Sequence, residues 1–355
     1  MGSRNRDFVS EDLSGCYGSS TMKTFCNLIY LWILLAMPCA AETARLYVTN
    51  SADTTVSVID PVTQKVVQVI DGIPKPHGVA LSPDGKRVYV SSESERVLDV
   101  VDQQSGKITK KIAISGLPHN IAVTKDGGRV LVCIKSDPGV LDIVDTVALQ
   151  KVRSIPMKGG LHNVYVTPDG KYAIVGSPAA HILTVIDLQT EQPAWEMKFD
   201  TAIHPVAIES GPDGSTSRLF VQLGYFHGFV VVDFATHKEL TRIELPTEPK
   251  GFEAESLPEG TSHGIGINPD GKTLWVASAS TRSVFVYSLP ELKLLGSVAT
   301  GVQPDWLSFS PDGKMVYVSN TEEGTVSFIA RDGLKEVARI PVGHKPRRTA
   351  SLLLP

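Results

Sequence analysis

From Arg45 onward, short runs alternate apolar and polar positions with a period of two, and turn residues interrupt them at even intervals. The phrase apolar-x-apolar-x-Pro-Asp-Gly recurs from Val79 to Gly85, Val164 to Gly170, Ile265 to Gly271 and Leu307 to Gly313, with variants at Lys125-Asp126-Gly127 and Pro212-Asp213-Gly214. Asp-Gly between two strand-like runs predicts a hairpin, because glycine tolerates the positive φ of the turn. A second strand follows each turn, as in Val88-Tyr89-Val90, Leu274-Trp275-Val276 and Val316-Tyr317-Val318. A third ends in Asp60, Asp102, Asp145, Asp187 or Asp233, where a carboxylate can accept from the N–H groups of the next turn. A fourth follows, as from Lys65 to Ile70.

A four-stranded antiparallel unit repeating about every 42 residues is the pattern of a propeller blade. Six units are complete, and a seventh, from Arg45 to Ile73, lacks its innermost strand. The segment from Lys345 to Leu354 reads as a strand without partners. Joining the two predicts an all-β, seven-bladed β-propeller whose ring is closed by the C-terminal strand, a device that removes the open edges of a linear array.

The first 41 residues are set apart from the fold. Lys23, the apolar run from Leu28 to Met37 and the small residues of Pro38-Cys39-Ala40-Ala41 read as a secretory signal peptide, with Met22 as its expected start. Residues 42–355 are then a single propeller domain, placed in the periplasm or secreted. The apolar run is short for a membrane span and no second one follows, so no span is expected in the mature chain. Three of the four cysteines lie in the leader, so Cys133 has no intramolecular partner for a disulfide and reads as a small buried residue. Lys+Arg 34 against Asp+Glu 38 gives a net charge of −4, which offers nothing to hold a nucleic-acid backbone.

The segments Tyr47-Val48-Thr49-Asn50, Tyr89-Val90-Ser91-Ser92 and Tyr317-Val318-Ser319-Asn320 resemble the YVTN-type β-propeller repeat of secreted bacterial and archaeal proteins. The likeness covers nearly all of the chain after Arg45. It implies the fold and export, and little about function, because that family mixes binding modules, surface proteins and enzymes. The middle units depart from the motif at Ile134-Lys135, Gly176-Ser177 and Gln222-Leu223.

One constellation stands above the repeat. A polar residue opens the innermost strand of each unit: His77, His119, His162, His204, His263 and Asp305, with Arg347 supplied by aligning Pro346-Arg347 to Pro76-His77. These positions are expected to form one ring at the mouth of the central channel. Neutral imidazole is the commonest metal ligand, so the five histidines are candidate ligands for copper or zinc. Asp305 and Arg347, with Tyr225 and His227 on neighbouring loops, are candidate contacts for a small ligand. An insertion around Pro249 to Glu255, just before His263, is expected beside the same mouth.

Three functions remain open on these residues. The main reading is an exported module that binds a metal ion or small ligand. The second is an enzyme using the same mouth, either a lactonase-like hydrolase, with Arg347 polarising an ester carbonyl, or a haem or copper oxidoreductase by architectural likeness to d1-haem and copper-bearing propellers. The third is a scaffold for a protein partner. The sequence contains no Gly-x-Ser-x-Gly, His-Glu-x-x-His, Cys-x-x-Cys or phosphate loop.

Overall fold

The structure, a computed structural model, describes residues 43–247 and 262–354; the expected leader and the insertion around Pro249 to Glu255 lie outside the described residues. It is all-β, a seven-bladed propeller of four-stranded antiparallel sheets. No helix among the described residues is long and apolar enough to cross a membrane.

The repeated turn chemistry has the predicted geometry. Gly85, Gly170, Gly271 and Gly313 take φ between 67° and 74°, and the Asp84 Oδ1 accepts from the Lys86 N–H at 3.1 Å. The carboxylates that end the third strands hold the following turns: Asp145 Oδ1 accepts from the N–H groups of Val147 and Ala148 at 2.8 and 2.7 Å.

Closure is made by Pro346–Leu354, which pairs with Thr43–Asn50 in the register Leu46↔Ser351, Tyr47↔Ala350 and Val48↔Thr349. Burial between blades follows the same ring. Each of seven apolar clusters spans two adjacent sheets, and the last joins Leu46, Val48 and Ile59 of the first blade to Tyr317 and Phe328 of the final one. Because an apolar side chain fully removed from water contributes roughly 1.5–3 kcal/mol, the inter-blade clusters carry most of the favourable energy. Cys133 lies in one of them, fully buried, and burial pushes its thiol up far from ionisation.

The YVTN-like segments show why their residues suit this ring. Tyr47, Tyr89 and Tyr317 fill the inter-blade layer. The hydroxyls two residues on reach across to the next blade: Thr49 donates to the His77 carbonyl at 2.9 Å, Ser91 to that of His119, and Ser319 to that of Arg347 at 2.7 Å. The motif thus fixes the backbone of the residue that opens the neighbouring innermost strand.

Candidate functional site

In the innermost strands Pro76–Leu81, Pro118–Val123, Ile203–Ser210, Ser262–Ile267 and Pro304–Phe309, the pairing register slips at the second and third positions. Each slip is a bulge, leaving two residues opposite one, and bulges re-aim side chains beside functional sites. The residues set free are His77, His119, His204, His263 and Asp305, while His162 stands just ahead of Asn163–Val166. At Gly78 a Cβ would lie 2.9 Å from the His119 carbonyl, and at Gly264 2.7 Å from that of Asp305, so small residues let neighbouring innermost strands approach closely.

The five imidazoles come together. Ring centroids are 3.8 Å apart for His77 and His119 and 4.0 Å for His119 and His162. His204 and His263 complete the cluster at 5.9 and 6.0 Å from His162 and 5.6 Å from each other. Asp305 is buried beside them, its Oδ1 3.5 Å from His263 Nδ1 and 3.4 Å from Arg347 Nη1. Tyr225 and His227 stand apart. Tyr225 is 94% exposed, whereas His227 Nε2 is 2.7 Å from the Ser278 hydroxyl in the next blade.

Hydrogen bonds assign the ring protons. His119 Nδ1 lies 2.8 Å from the His162 carbonyl and His263 Nδ1 3.2 Å from that of Asp305. A carbonyl only accepts, so in both residues Nδ1 carries a proton. Histidines that bind metals through Nε2 are commonly held by such an Nδ1–H bond to a carbonyl. The Nε2 of His263 is buried with no hydrogen-bond partner. Burial, joined by nearby cationic groups, holds His77, His119 and His162 well below the usual imidazole range, so they are neutral at pH 7.

Four residues that the repeat pattern passed over organise this cluster. Arg348, 2% exposed, donates through Nε to His77 Nε2 at 3.4 Å and through Nη2 to Asn163 Oδ1, and stacks on Trp306 at 3.6 Å from the ring centroid. With its oxygen so engaged, Asn163 turns Nδ2 toward His162 Nδ1 at 2.7 Å. Arg348 thereby sets the tautomers of two histidines, His77 directly and His162 through Asn163. Glu93, on the loop after the second strand, places Oε1 3.7 Å from His77 Nδ1, 3.4 Å from His119 Nε2 and 3.1 Å from Lys135 Nζ. Ligand atoms of His77, Glu93 and His119 lie within 4.8 Å of one another, a two-histidine, one-carboxylate donor set. The available sequence signals were Arg348 at a position that is Gly78, Asn120 or Gly264 in other blades, and Glu93 and Lys135 at equivalent places after the second strands.

Comparison with known proteins gives a divided answer. The family model for the cytochrome D1 heme domain matches residues 42–210, and that for the seven-bladed β-propeller lactonase matches residues 229–341. No curated protein matches the chain. Among solved structures, hydrazine synthase of Kuenenia stuttgartiensis is 22% identical, with 82% of this chain and 93% of that chain covered and a TM-score of 0.71. A periplasmic gluconolactonase of Pseudomonas aeruginosa is 17% identical over 88% of this chain and 100% of that chain, with a TM-score of 0.71. A dihydro-heme d1 dehydrogenase is 18% identical over 86% of this chain and 74% of that chain, with a TM-score of 0.60. At these identities the likeness is one of fold. Fold and site together define a propeller with a histidine cluster at one end of its channel, and none of the matched names points to copper or zinc.

Proposed function

We propose that the protein is an exported propeller, acting in the periplasm, that holds a haem-type tetrapyrrole over the histidine cluster. The observation that carries this reading is the pair His119 and His263. Each donates Nδ1–H to a backbone carbonyl of the next blade, and the Nε2 of His263 is buried without a partner. An imidazole held in this way would suit a ligand to haem iron. The partly exposed Arg347 at the rim suits the carboxylates of the macrocycle. The cytochrome D1 match runs from the first blade to the innermost strand of the fifth and so includes His77, His119, His162 and His204. Bound there, the group would supply one-electron chemistry, while the chain's residues hold it and exclude water.

Titrating purified protein with haem tests the reading. A saturable, red-shifted Soret band is expected, weakened strongly in the His119→Ala, His263→Ala double variant. A band of free haem only, or one indifferent to both substitutions, rejects it.

A second reading, lactone hydrolysis, is favoured by the lactonase match over residues 229–341, which includes His263 and Asp305, and by Glu93 lying against two neutral imidazoles. In it a histidine acts as base toward water and Arg347 polarises the carbonyl. Hydrolysis of a gluconolactone by haem-free protein, lost in Glu93→Gln, would support this use of the mouth over the first.

A further inference from the structure

The channel has a second end. Past the position of Arg348, the innermost strands run on toward the Asp-Gly turns for about four residues, or about 13 Å at 3.3 Å per residue. There they enclose a cavity of about 460 Å³ lined mainly by aliphatic side chains, including Val79, Ile121, Val164, Val206 and Ile265. No histidine of the mouth lines it. Its outer part reaches Pro168, which is exposed, so the cavity communicates with solvent on the face opposite the imidazoles. Its inner end carries Arg348, Trp306, Asn120 and Tyr165.

The charge there is one-sided. Arg348 is buried; its hydrogen-bonding partners, His77, Asn163 and Tyr165, are uncharged, it stacks on the face of Trp306, and the carboxylate that acts on it, Asp305, belongs to the mouth and not to the cavity. Its Nη1 has no hydrogen-bond partner. The residues lining the cavity include no aspartate or glutamate. A buried guanidinium normally sits against a carboxylate, because desolvating an unpaired cation is costly.

We propose that this cavity is a second binding site, entered from the turn face, for a small amphiphilic carboxylate whose anionic head reaches Arg348 and whose alkyl tail lies along the aliphatic walls. The head would form the charge-assisted bonds that Nη1 lacks. The walls would take the tail out of water. Apolar walls with a few convergent polar groups are typical of small-ligand pockets, and the volume falls within their usual range. The site does not rest on the haem reading: it shares Arg348 with the histidine cluster but opens at the other end of the channel and calls on no imidazole as a ligand.

Calorimetric titration of the full chain with octanoate, and with octanol as the neutral probe of similar length, tests it. Octanoate is expected to bind saturably and at least about tenfold more tightly than octanol, the factor expected from hydrogen bonds to a charged group. Arg348→Gln should remove that preference. Ile208→Glu, in the outer cavity wall and away from the imidazoles, should weaken octanoate at least about tenfold through like-charge repulsion, and serves where the arginine variant fails to fold. Octanoate binding should persist in His119→Ala. Equal affinity for the two probes, no saturable uptake, unchanged binding in both Arg348→Gln and Ile208→Glu, or loss of binding in His119→Ala each overturns the proposal.

Discussion

Arg348 and His77 are 271 positions apart in the chain, yet the guanidinium Nε stands 3.4 Å from the imidazole Nε2. The contact exists because the C-terminal strand returns to the first blade, placing Arg348 beside the second blade across the closure of the ring. One interaction therefore couples the closure of the fold to the chemistry of its mouth.

A lysine in place of Arg348 tests that coupling. Arg348→Lys keeps the charge but cannot serve His77, Asn163 and the Trp306 face together, because an ammonium lacks the planar fork. The expected loss is about 1–3 kcal/mol in denaturant unfolding, the range for a hydrogen bond to a charged group whose buried partners are left unpaired. Nitrogen chemical shifts of His77 and His162 should move as well, since their tautomers are set by this side chain. A variant with unchanged imidazole signals would separate the arginine from the cluster.

Truncation before Arg347 tests the closure itself. Removing the strand leaves Thr43–Asn50 as an open edge and uncovers Leu46 and Val48 at the cluster shared by the first and last blades. The whole propeller is expected to lose cooperativity and to melt lower by well over 10 °C, a shift of several kcal/mol on the scale for domains of this size. If the truncated chain melts like the parent, the strand is an accessory and the ring is held elsewhere.

The architecture was legible because each blade is specified locally. Asp-Gly turns, period-two strands and the terminal aspartates lie within about 42 residues, and only the closing strand had to be placed from a distance. The imidazole cluster was legible for the same reason, since a polar residue opens the innermost strand of each blade at steps of 42 or 43 residues, apart from one of 59 across the insertion before His263. Arg348, Glu93 and Lys135 were hidden because their roles depend on approaches between blades that no repeat spacing states. Arg347 drew attention through its alignment with His77, but the bulge between Val48 and Asn50 gives the buried central place to the next residue, Arg348. Tyr225 and His227 share an end of the blade with the mouth, yet the turn leaves Tyr225 in solvent and aims His227 sideways at Ser278.

The depressed histidines predict how stability depends on pH. Unfolded, each imidazole titrates near about 6.5; in the fold, burial keeps His77, His119 and His162 neutral to lower pH. Below about pH 6.5 the unfolded chain binds protons that the folded one refuses. Their contribution is therefore present above that pH and lost as pH falls through the folded values. Each contributes a slope of up to about 1.4 kcal/mol per pH unit. Urea midpoints measured from pH 7.5 down to 5 should fall steeply, and less steeply in His119→Gln. A flat profile would show that water or a counter-ion already accommodates the charged rings.

Asp99 offers a prediction of opposite sign. It is fully buried on the third strand of its blade, where Lys111 Nζ at 3.3 Å is the cation facing it, and burial raises its carboxyl to about 6. The equivalent Asp142 in the next blade is served by the hydroxyls of Ser115 and Ser154 and by the Ser115 N–H. Other blades hold Ser57, Thr184 or Ser327 at this position. With an unfolded value near about 3.9, Asp99 contributes stability below that pH and loses it as pH rises through 6. At pH 7 the wild-type chain carries the full cost, about 2–3 kcal/mol for a difference of about two pKa units. Asp99→Thr removes the charge, keeps a small polar group suited to a strand and leaves Lys111 its bond to Glu95 at 2.7 Å. The variant should be about 2 kcal/mol more stable than the parent at pH 7 and about equal to it at pH 4. A loss of stability at pH 7 would mean that the Lys111 pair repays the burial of the carboxylate.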